Sequence, residues 1–445
     1  MTAKAAQIGL SALWMAVVCA PAGATPAEAP SRPAVDMPEL AAVGPWPVGT
    51  VEELVDTGTV AQFTLRGPSA GTARKLHVQI WYPAAAAGTP KPYVHLINLI
   101  RGPSVSVTTP SMAAPSAPPA RGRRFPLVVV SHGLGGWDTS MTYLTENLAS
   151  KGYVVAAIDH EEPIYRSVPE FIVAFENVVL DRAQDQRAVI RYLLDQAERG
   201  HGGYSTLIDP ARLALVGYSM GGFGALAAAG ANYDAQSSTL KKLPSALVAD
   251  IEREDPRISK AIRALVLIAP WGAQPSERAW TTDGVGRISA PTLLIDGDKD
   301  DVVDYANGVR WVFDHLTGAD RYMLVFEGAG HGVGSNPPPP EAHDVRGLSD
   351  YFTDPVWRTD RINGIELHFI SAFLANKLKD ETAASDYLNV PTPIAANGSW
   401  PQKLGDANQP IFAGRDQPNY WKGFQFRSAV GLELYQASRV ETKHP

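Results

Sequence analysis

Three residue types needed for nucleophilic acyl chemistry recur here in separate, glycine-punctuated settings. Ser219 sits in Gly217-Tyr218-Ser219-Met220-Gly221-Gly222, directly after the apolar run Leu213–Val216. His331 sits in Gly328-Ala329-Gly330-His331-Gly332, and a turn between them, Gly297-Asp298-Lys299-Asp300-Asp301, is rich in carboxylates. A serine hydroxyl is a weak nucleophile at neutral pH and needs a base to take its proton. A histidine supplies that base and returns the proton to a leaving group. A carboxylate then fixes the imidazole in one tautomer and stabilises its charged form. The residues leave Asp298, Asp300, Asp301 and Asp304 open as that acid. The same cluster reads poorly as a calcium loop, because the sixth-position glycine and twelfth-position glutamate of an EF-hand are missing.

Acyl transfer through a serine also requires donors for the developing oxyanion. Phe125-Pro-Leu-Val-Val-Val-Ser-His132-Gly133-Leu134-Gly135-Gly136-Trp137 reads as a strand followed by a histidine-glycine loop. Such a loop offers one backbone N–H, and the residue after the nucleophile offers the other. Those amides belong to Leu134 and Met220. His132 reads as a brace for the loop rather than a catalytic or metal-binding residue.

The elements that must hold these groups are legible in the hydrophobic pattern. Gly-x-Ser-x-Gly between an apolar strand and a small-residue helix (Gly224 to Ala231) is the pattern of a tight nucleophile turn, with the hydroxyl above the positive end of the helix. Ser219, the acid turn and His331 each follow a short apolar run, so each is expected just past the C-terminal end of a strand, where open parallel sheets form their sites. From Phe125 onward strands and helices alternate: strand Leu127–Val130, helix Ser140–Ser150, strand Tyr153–Ile158, and a long helix near Glu176–Arg199 stopped by Gly200. The alternation predicts an α/β architecture, a mostly parallel central sheet with helices on both faces. Before it, Val60–Leu65 and Leu76–Tyr82 are the clearest strands, and residues 102–124, rich in Pro, Ser, Ala and Arg, read as a long exposed connection. Residues 232–260 are polar and helix-like and are expected as a lid beside the cleft. The proline run Asn336-Pro-Pro-Pro-Pro340 is expected to shape a cleft wall. Asp360–Lys379 reads as a closing helix.

His-Gly-Leu-Gly-Gly, Gly-Tyr-Ser-Met-Gly-Gly, Gly-Asp-Lys-Asp and Gly-Ala-Gly-His together resemble the α/β-hydrolase superfamily. Val78-Gln-Ile-Trp81-Tyr82-Pro83, the Phe125 segment and Leu148-Ala-Ser-Lys-Gly152-Tyr-Val-Val-Ala-Ala-Ile-Asp159-His160 are similar to the platelet-activating-factor acetylhydrolase and dienelactone-hydrolase-like group. True dienelactone hydrolases use a cysteine where this chain has Ser219, so their particular activity is not implied. Leu267-Ile-Ala-Pro270-Trp271 is similar to a strand end of bacterial cutinase-like polyesterases, in which the tryptophan lines the acyl pocket. The resemblance implies an α/β-hydrolase fold with insertions and a C-terminal extension. It selects Asp300 as the acid by its Gly-x-x-Asp spacing from Gly297, with Asp298 and Asp301 as alternatives. It also gives Trp271 as a substrate-binding residue. The activity it implies is cleavage of a small or polymeric carboxylic ester through an acyl-enzyme, without cofactor or metal. Polyester, lactone or C–C bond hydrolysis with the same triad is the alternative, as is a silent hydrolase-fold binding protein.

Composition sets the outer limits. The 445 residues are 45% hydrophobic and 19% charged, enough for one large α/β domain with appendages. A net charge of −7 without a basic patch gives no electrostatic footprint for nucleic acid. Lys4, the apolar Ile8–Val18 and Ala22-Gly23-Ala24 form an export signal cut after Ala24, too short to span a bilayer. That reading places the mature protein in the periplasm or outside the cell. Cys19 is the single cysteine and lies in the signal, so no disulfide or thiolate metal site is expected afterwards. The expected organisation is signal 1–24, flexible lead 25–47, catalytic domain 48–385, and an extension 386–445 packed on it, with Trp421–Leu434 as a terminal strand pair. Asp159-His160-Glu161-Glu162 has ligand-type side chains but no His-Glu-x-x-His helix, and reads as a loop at a strand end.

Overall fold

Runs of Val, Leu, Ile and Ala that are apolar on both faces need helices above and below them, and this chain supplies both. The computed structural model describes residues 36–98, 104–162, 165, 167–200, 202–343, 345, 348–399, 403–404, 410–411, 419–425 and 427–440. The expected signal with Cys19, and the first part of the expected lead, lie outside the described residues.

A ten-stranded sheet forms the centre. Its middle strands run parallel in the order Val154–Ile158, Phe125–Ser131, Ile208–Tyr218, Ile262–Ile268, Thr292–Gly297, Arg321–Phe326. Every residue of Phe125–Ser131 and of Val154–Ile158 is buried. Helix α1 (Thr142–Ser150) contacts the closing helix Thr359–Leu378, while α2 (Val168–Arg199) contacts α3 (Met220–Ala228). On one flank the sheet continues through the antiparallel strands Thr72–Pro83 and Val48–Val60. On the other, Leu432–Ala437 pairs antiparallel with Arg321–Phe326. Between Phe125–Ser131 and Ile208–Tyr218 the strand order reverses. The loops leaving these two strands therefore diverge and open a crevice at their carboxyl ends.

Several expectations about particular elements differ from the structure, among them the Val60–Leu65 strand: the strand from Val48 ends at Val60, and only Phe63–Thr64 pairs beyond it. Helix α2 starts at Val168 rather than near Glu176, because Ser167 accepts the Glu170 N–H and Pro169 occupies the first turn. Its end is as expected, at a left-handed Gly200. Residues 232–260 are not one unit: Lys242 lines an open cleft with Phe175 and Trp271, and the helices after it do not. Their helices α4 (Ser245–Glu252) and α5 (Pro256–Ala261) bury Leu247, Val248, Ile251 and Ile258 and pack against α2. Helix α5 leads into the start of Ile262–Ile268, the end of the sheet opposite Ser219. The connection after residue 103 is not simply exposed: Val105–Thr109 pairs with Tyr93–Ile97, and Ala113–Pro115 joins the sheet beside Val48–Thr50. The tail holds one strand of the sheet rather than a terminal pair. Ahead of it, Trp421 and Phe424 are buried against Phe369 of the closing helix. Among the described residues no helix is long and apolar enough to cross a membrane.

Candidate active site

Ser219 stands between the end of the strand Ile208–Tyr218 and the first turn of α3 with φ 52° and ψ −115°. A non-glycine residue reaches that region only under strain, and the turn explains what holds it there. The Ser219 N–H donates to Ile268 O at 2.9 Å, and Ser219 O accepts from Phe223 and Trp271 N–H at 3.1 Å each. The flanking glycines are steric requirements. A Cβ on Gly217 would lie 2.4 Å from Gly221 O, and one on Gly221 would lie 2.0 Å from Ser131 O.

Ser219 Oγ lies 3.0 Å from His331 Nε2, and His331 Nδ1 lies 2.6 Å from Asp300 Oδ2. With the Nδ1–H donated to Asp300, Nε2 is free to accept the serine proton. Asp300 is buried, and its other oxygen accepts the Val302 and Val303 N–H groups at 2.9 and 3.1 Å. Burial works against its charge, but the hydrogen bond and charge of His331 and the Val303 N–H outweigh it. The carboxyl is held below its ordinary pKa and stays ionised. Neighbouring Asp296 is fully buried, and burial together with the charge of Asp300 pushes its carboxyl well above the usual range, so it carries a proton. Asp298, an alternative acid, instead accepts the Gly328 N–H at 2.5 Å and the Lys299 ammonium at 2.9 Å. Asp301 is exposed.

The loop His132–Gly136 lies against Ser219: a Cβ on Gly133 would come 3.3 Å from Ser219 Cβ. Met220 opens α3, where N–H groups have no partner within the helix. Among the described residues neither the Leu134 nor the Met220 N–H meets a protein acceptor. His132 is a brace: its Nδ1 lies 2.6 Å from Gly133 O, and its Nε2 accepts the His160 N–H at 3.3 Å. That pattern fixes the Nδ1–H tautomer. Burial, then the nearby Arg182 guanidinium, pushes the ring well below its ordinary pKa and keeps it neutral.

Trp271 follows the strand Ile262–Ile268 and packs edge-on against Phe175 and Phe223. It borders an open cleft of about 680 Å³ whose apolar lining also includes Phe171, Ile172, Phe175 and Val302. Ser219 and His331 do not line this cleft; Trp271, whose N–H donates to Ser219 O, and Asp301, the residue after Asp300, do.

Sequence reasoning named His160 and Glu162 only as a loop at a strand end and missed their partners behind the His132 loop. His160 is buried between Asp185 and Ser131, at 2.9 and 2.8 Å, and Asp185 is paired with Arg74. Arg182 is buried and paired with Glu162. The available signal was charge on the buried face of α2: Asp181 and Asp185 lie one turn apart with Arg182 between them, beside Val178, Val179 and Val189, and buried charges must find partners. Among the described residues no cluster of His, Cys, Asp and Glu is arranged to hold a metal ion.

A family model described as PET hydrolase-like (PETase) matches residues 85–242, which hold the His132 loop and the Ser219 turn. Cutinase 2 of Thermobifida cellulosilytica is 26% identical over 218 residues, 48% of this chain and 63% of that protein. Cutinase cut1 of Thermobifida fusca is 26% identical over 218 residues, 48% of this chain and 51% of that protein. A bis(hydroxyethyl) terephthalate hydrolase of Streptomyces coelicolor is 26% identical over 208 residues, 46% of this chain and 50% of that protein. The chain thus spans between half and two thirds of the length of these relatives. The likeness drawn from the Leu267–Trp271 strand end agrees with these matches. The sheet topology gives the chain an α/β-hydrolase fold, and its relatives give it a likeness to cutinase-like polyesterases.

Proposed function

We propose that the protein is an exported serine hydrolase that cleaves carboxylic esters, with Ser219 as nucleophile, His331 as general base and acid, and Asp300 as its orienting carboxylate. The observation that carries this reading is the unbroken hydrogen-bond chain from Ser219 Oγ through His331 to Asp300 Oδ2. Ser219 Oγ attacks the acyl carbon while its proton passes to His331 Nε2. The carbonyl π electrons move onto oxygen, facing the Leu134 and Met220 N–H groups. Collapse of this intermediate expels the alcohol, which takes the proton from Nε2. Water, deprotonated by the same nitrogen, then attacks the acyl carbon; the tetrahedral intermediate collapses, Ser219 Oγ leaves and takes that proton from Nε2, and the acid is released. Each half-reaction leaves His331 neutral, as it began.

Replacing Ser219 by Ala tests the reading. Ester turnover and fluorophosphonate labelling should both vanish while the thermal transition is kept. Near-wild-type turnover in the folded variant sinks it.

Within this class, a polymeric or bulky ester is favoured by the cleft beside Trp271. It is open, and Phe171, Ile172, Phe175, Trp271 and Val302 give it apolar surface among charged and polar residues such as Glu176, Lys242 and Glu277, suited to an ester larger than acetyl with both apolar and polar groups. The names of the relatives, cutinases and a bis(hydroxyethyl) terephthalate hydrolase, support the same direction. Comparing p-nitrophenyl acetate, bis(hydroxyethyl) terephthalate and a polyester film decides it; activity on acetate alone would reject the bulky-ester reading. Export is testable by the mature N-terminus, expected at Thr25.

A further inference from the structure

We propose that Arg182, a residue of α2 outside the triad, is a positioning residue that aims the oxyanion-loop amides, a role that rests on the ester-hydrolase reading above. Its guanidinium is buried, and its two terminal nitrogens donate to consecutive carbonyls of the loop. Nη1 reaches His132 O, and Nη2 reaches Gly133 O at 3.0 Å. Gly133 O belongs to the same peptide unit as the Leu134 N–H. A trans peptide is planar, with its C=O and N–H on opposite sides. Holding Gly133 O toward α2 therefore fixes the Leu134 N–H to face away from α2. The His132–Gly133 peptide is held in the same manner.

Gly133 O also accepts from His132 Nδ1 at 2.6 Å and from the Gly136 N–H at 3.2 Å. Three donors on one carbonyl, one of them charged, draw electron density from that peptide. Its N–H becomes a stronger donor by the cooperativity of linked hydrogen bonds. Glu162 closes the device. One of its oxygens pairs with Arg182 Nη2, and the other accepts the Gly135 N–H at 2.6 Å. A single ion pair thus grips the loop at His132, Gly133 and Gly135. No residue of this grip touches the reacting atoms. It acts by pre-setting donors so that nothing need reorganise when charge develops, which is where oxyanion stabilisation gains its strength.

Arg182→Lys tests the inference. A lysine ammonium is a point donor and cannot hold two carbonyls in the fixed fork of a guanidinium. The expected result is a roughly tenfold to hundredfold loss in kcat, short of the full loss of an oxyanion donor. KM and the midpoint of the pH profile of kcat/KM should not move, because the His331 relay is intact. The specific readout is the rate ratio between an oxoester and its thionoester. Sulfur is a poor acceptor, so a well-aimed oxyanion site discriminates strongly and a slackened one less. Should Arg182→Lys fail to fold, Glu162→Gln carries the test. It removes the charge partner of Arg182 while keeping an acceptor for Gly135, and it should shift kcat and the thiono ratio in the same direction by a smaller factor.

Folded variants with wild-type kcat and an unchanged thiono ratio, in an enzyme that Ser219→Ala inactivates, overturn the Arg182 role and leave the triad reading standing. A wild-type protein without Ser219-dependent ester turnover removes both.

Discussion

Tyr218, the residue before the nucleophile, donates its phenol to the main-chain carbonyl of His331 at 2.8 Å, and its ring lies nearly flat against the imidazole, with centroids 5.4 Å apart at 28°. One side chain thus ties the nucleophile turn to the loop that carries the proposed base. The fit is close, since a Cβ on Gly334 would lie 2.6 Å from the Tyr218 ring. Tyr218→Phe keeps the ring contact and removes only the hydrogen bond. A buried hydrogen bond contributes about 1 kcal/mol. If half or more of that is spent on positioning His331, kcat should fall roughly twofold to fivefold. Steady-state kinetics beside a thermal melt check this; an unchanged kcat with a lowered melting temperature would make the bond purely structural.

The choice among four neighbouring carboxylates has a sharp consequence. Asp300→Asn should leave the fold intact and lower kcat by about 10⁴, since the amide presents its N–H to His331 and favours the wrong tautomer. Asp301→Asn, at an exposed side chain, should leave kcat near wild type. Asp298→Asn should act on stability rather than rate, because Asp298 anchors the Gly328 N–H of the loop leading to His331. A loss of rate in Asp298→Asn as large as in Asp300→Asn would refute the assignment.

What could be read before any coordinates follows from how local each signal was. The strand-turn-helix around Ser219 is written in consecutive residues, because the glycines at 217 and 221 answer to clashes within the turn and with the strand beside it. The acid and histidine turns follow strands whose apolar runs are continuous, a pattern that needs no partner to be seen. The start of α2 was also written locally, in Ser167-Val-Pro-Glu170 at its N-terminus, and was overlooked beside the stronger apolar period from Val178 onward. The Arg182–Glu162 pair and the His160–Asp185–Arg74 chain were not legible. They join α2 to the ends of two strands, Phe125–Ser131 and Val154–Ile158, and to the start of a third. No spacing rule connects positions that distant. The role of residues 245–261 was equally hidden. A short amphipathic helix states that it has an apolar face, not which neighbour covers it.

Gly221→Ala tests the turn itself. The added methyl would sit 2.0 Å from Ser131 O and 2.8 Å from His132 O, both backbone atoms of the strand Phe125–Ser131 and the loop after it. Neither can retreat without dragging the loop from the nucleophile. Overpacking of this kind costs roughly 3 kcal/mol, and activity should fall further than the lost stability accounts for. Chemical denaturation with parallel kinetics checks the pair of effects. A variant as stable and as active as wild type would show that the turn is looser than its contacts imply.

Lys151, at the end of α1, is a buried lysine whose titration should make stability depend on pH. Its Nζ donates to Leu40 O and, at 2.7 Å, to Ser371 Oγ, with no carboxylate among these partners. Burial, and then the nearby Lys379 ammonium, lowers its pKa from 10.5 to about 7. The unfolded chain therefore binds a proton that the folded chain releases throughout the interval from about pH 7 to the ordinary lysine value. Over that interval stability must rise with pH, at up to about 1.4 kcal/mol per pH unit from this group alone. Below it, the cost of the buried charge is fully present and constant. Lys151→Met keeps the apolar stem and removes the titration. The stability of wild type minus that of the variant, from urea unfolding at pH 6.5, 8 and 9.5, should climb across the series. A flat difference would mean that Lys151 keeps its charge in the fold, so that water or the Leu40 and Ser371 oxygens solvate it well enough to offset its burial.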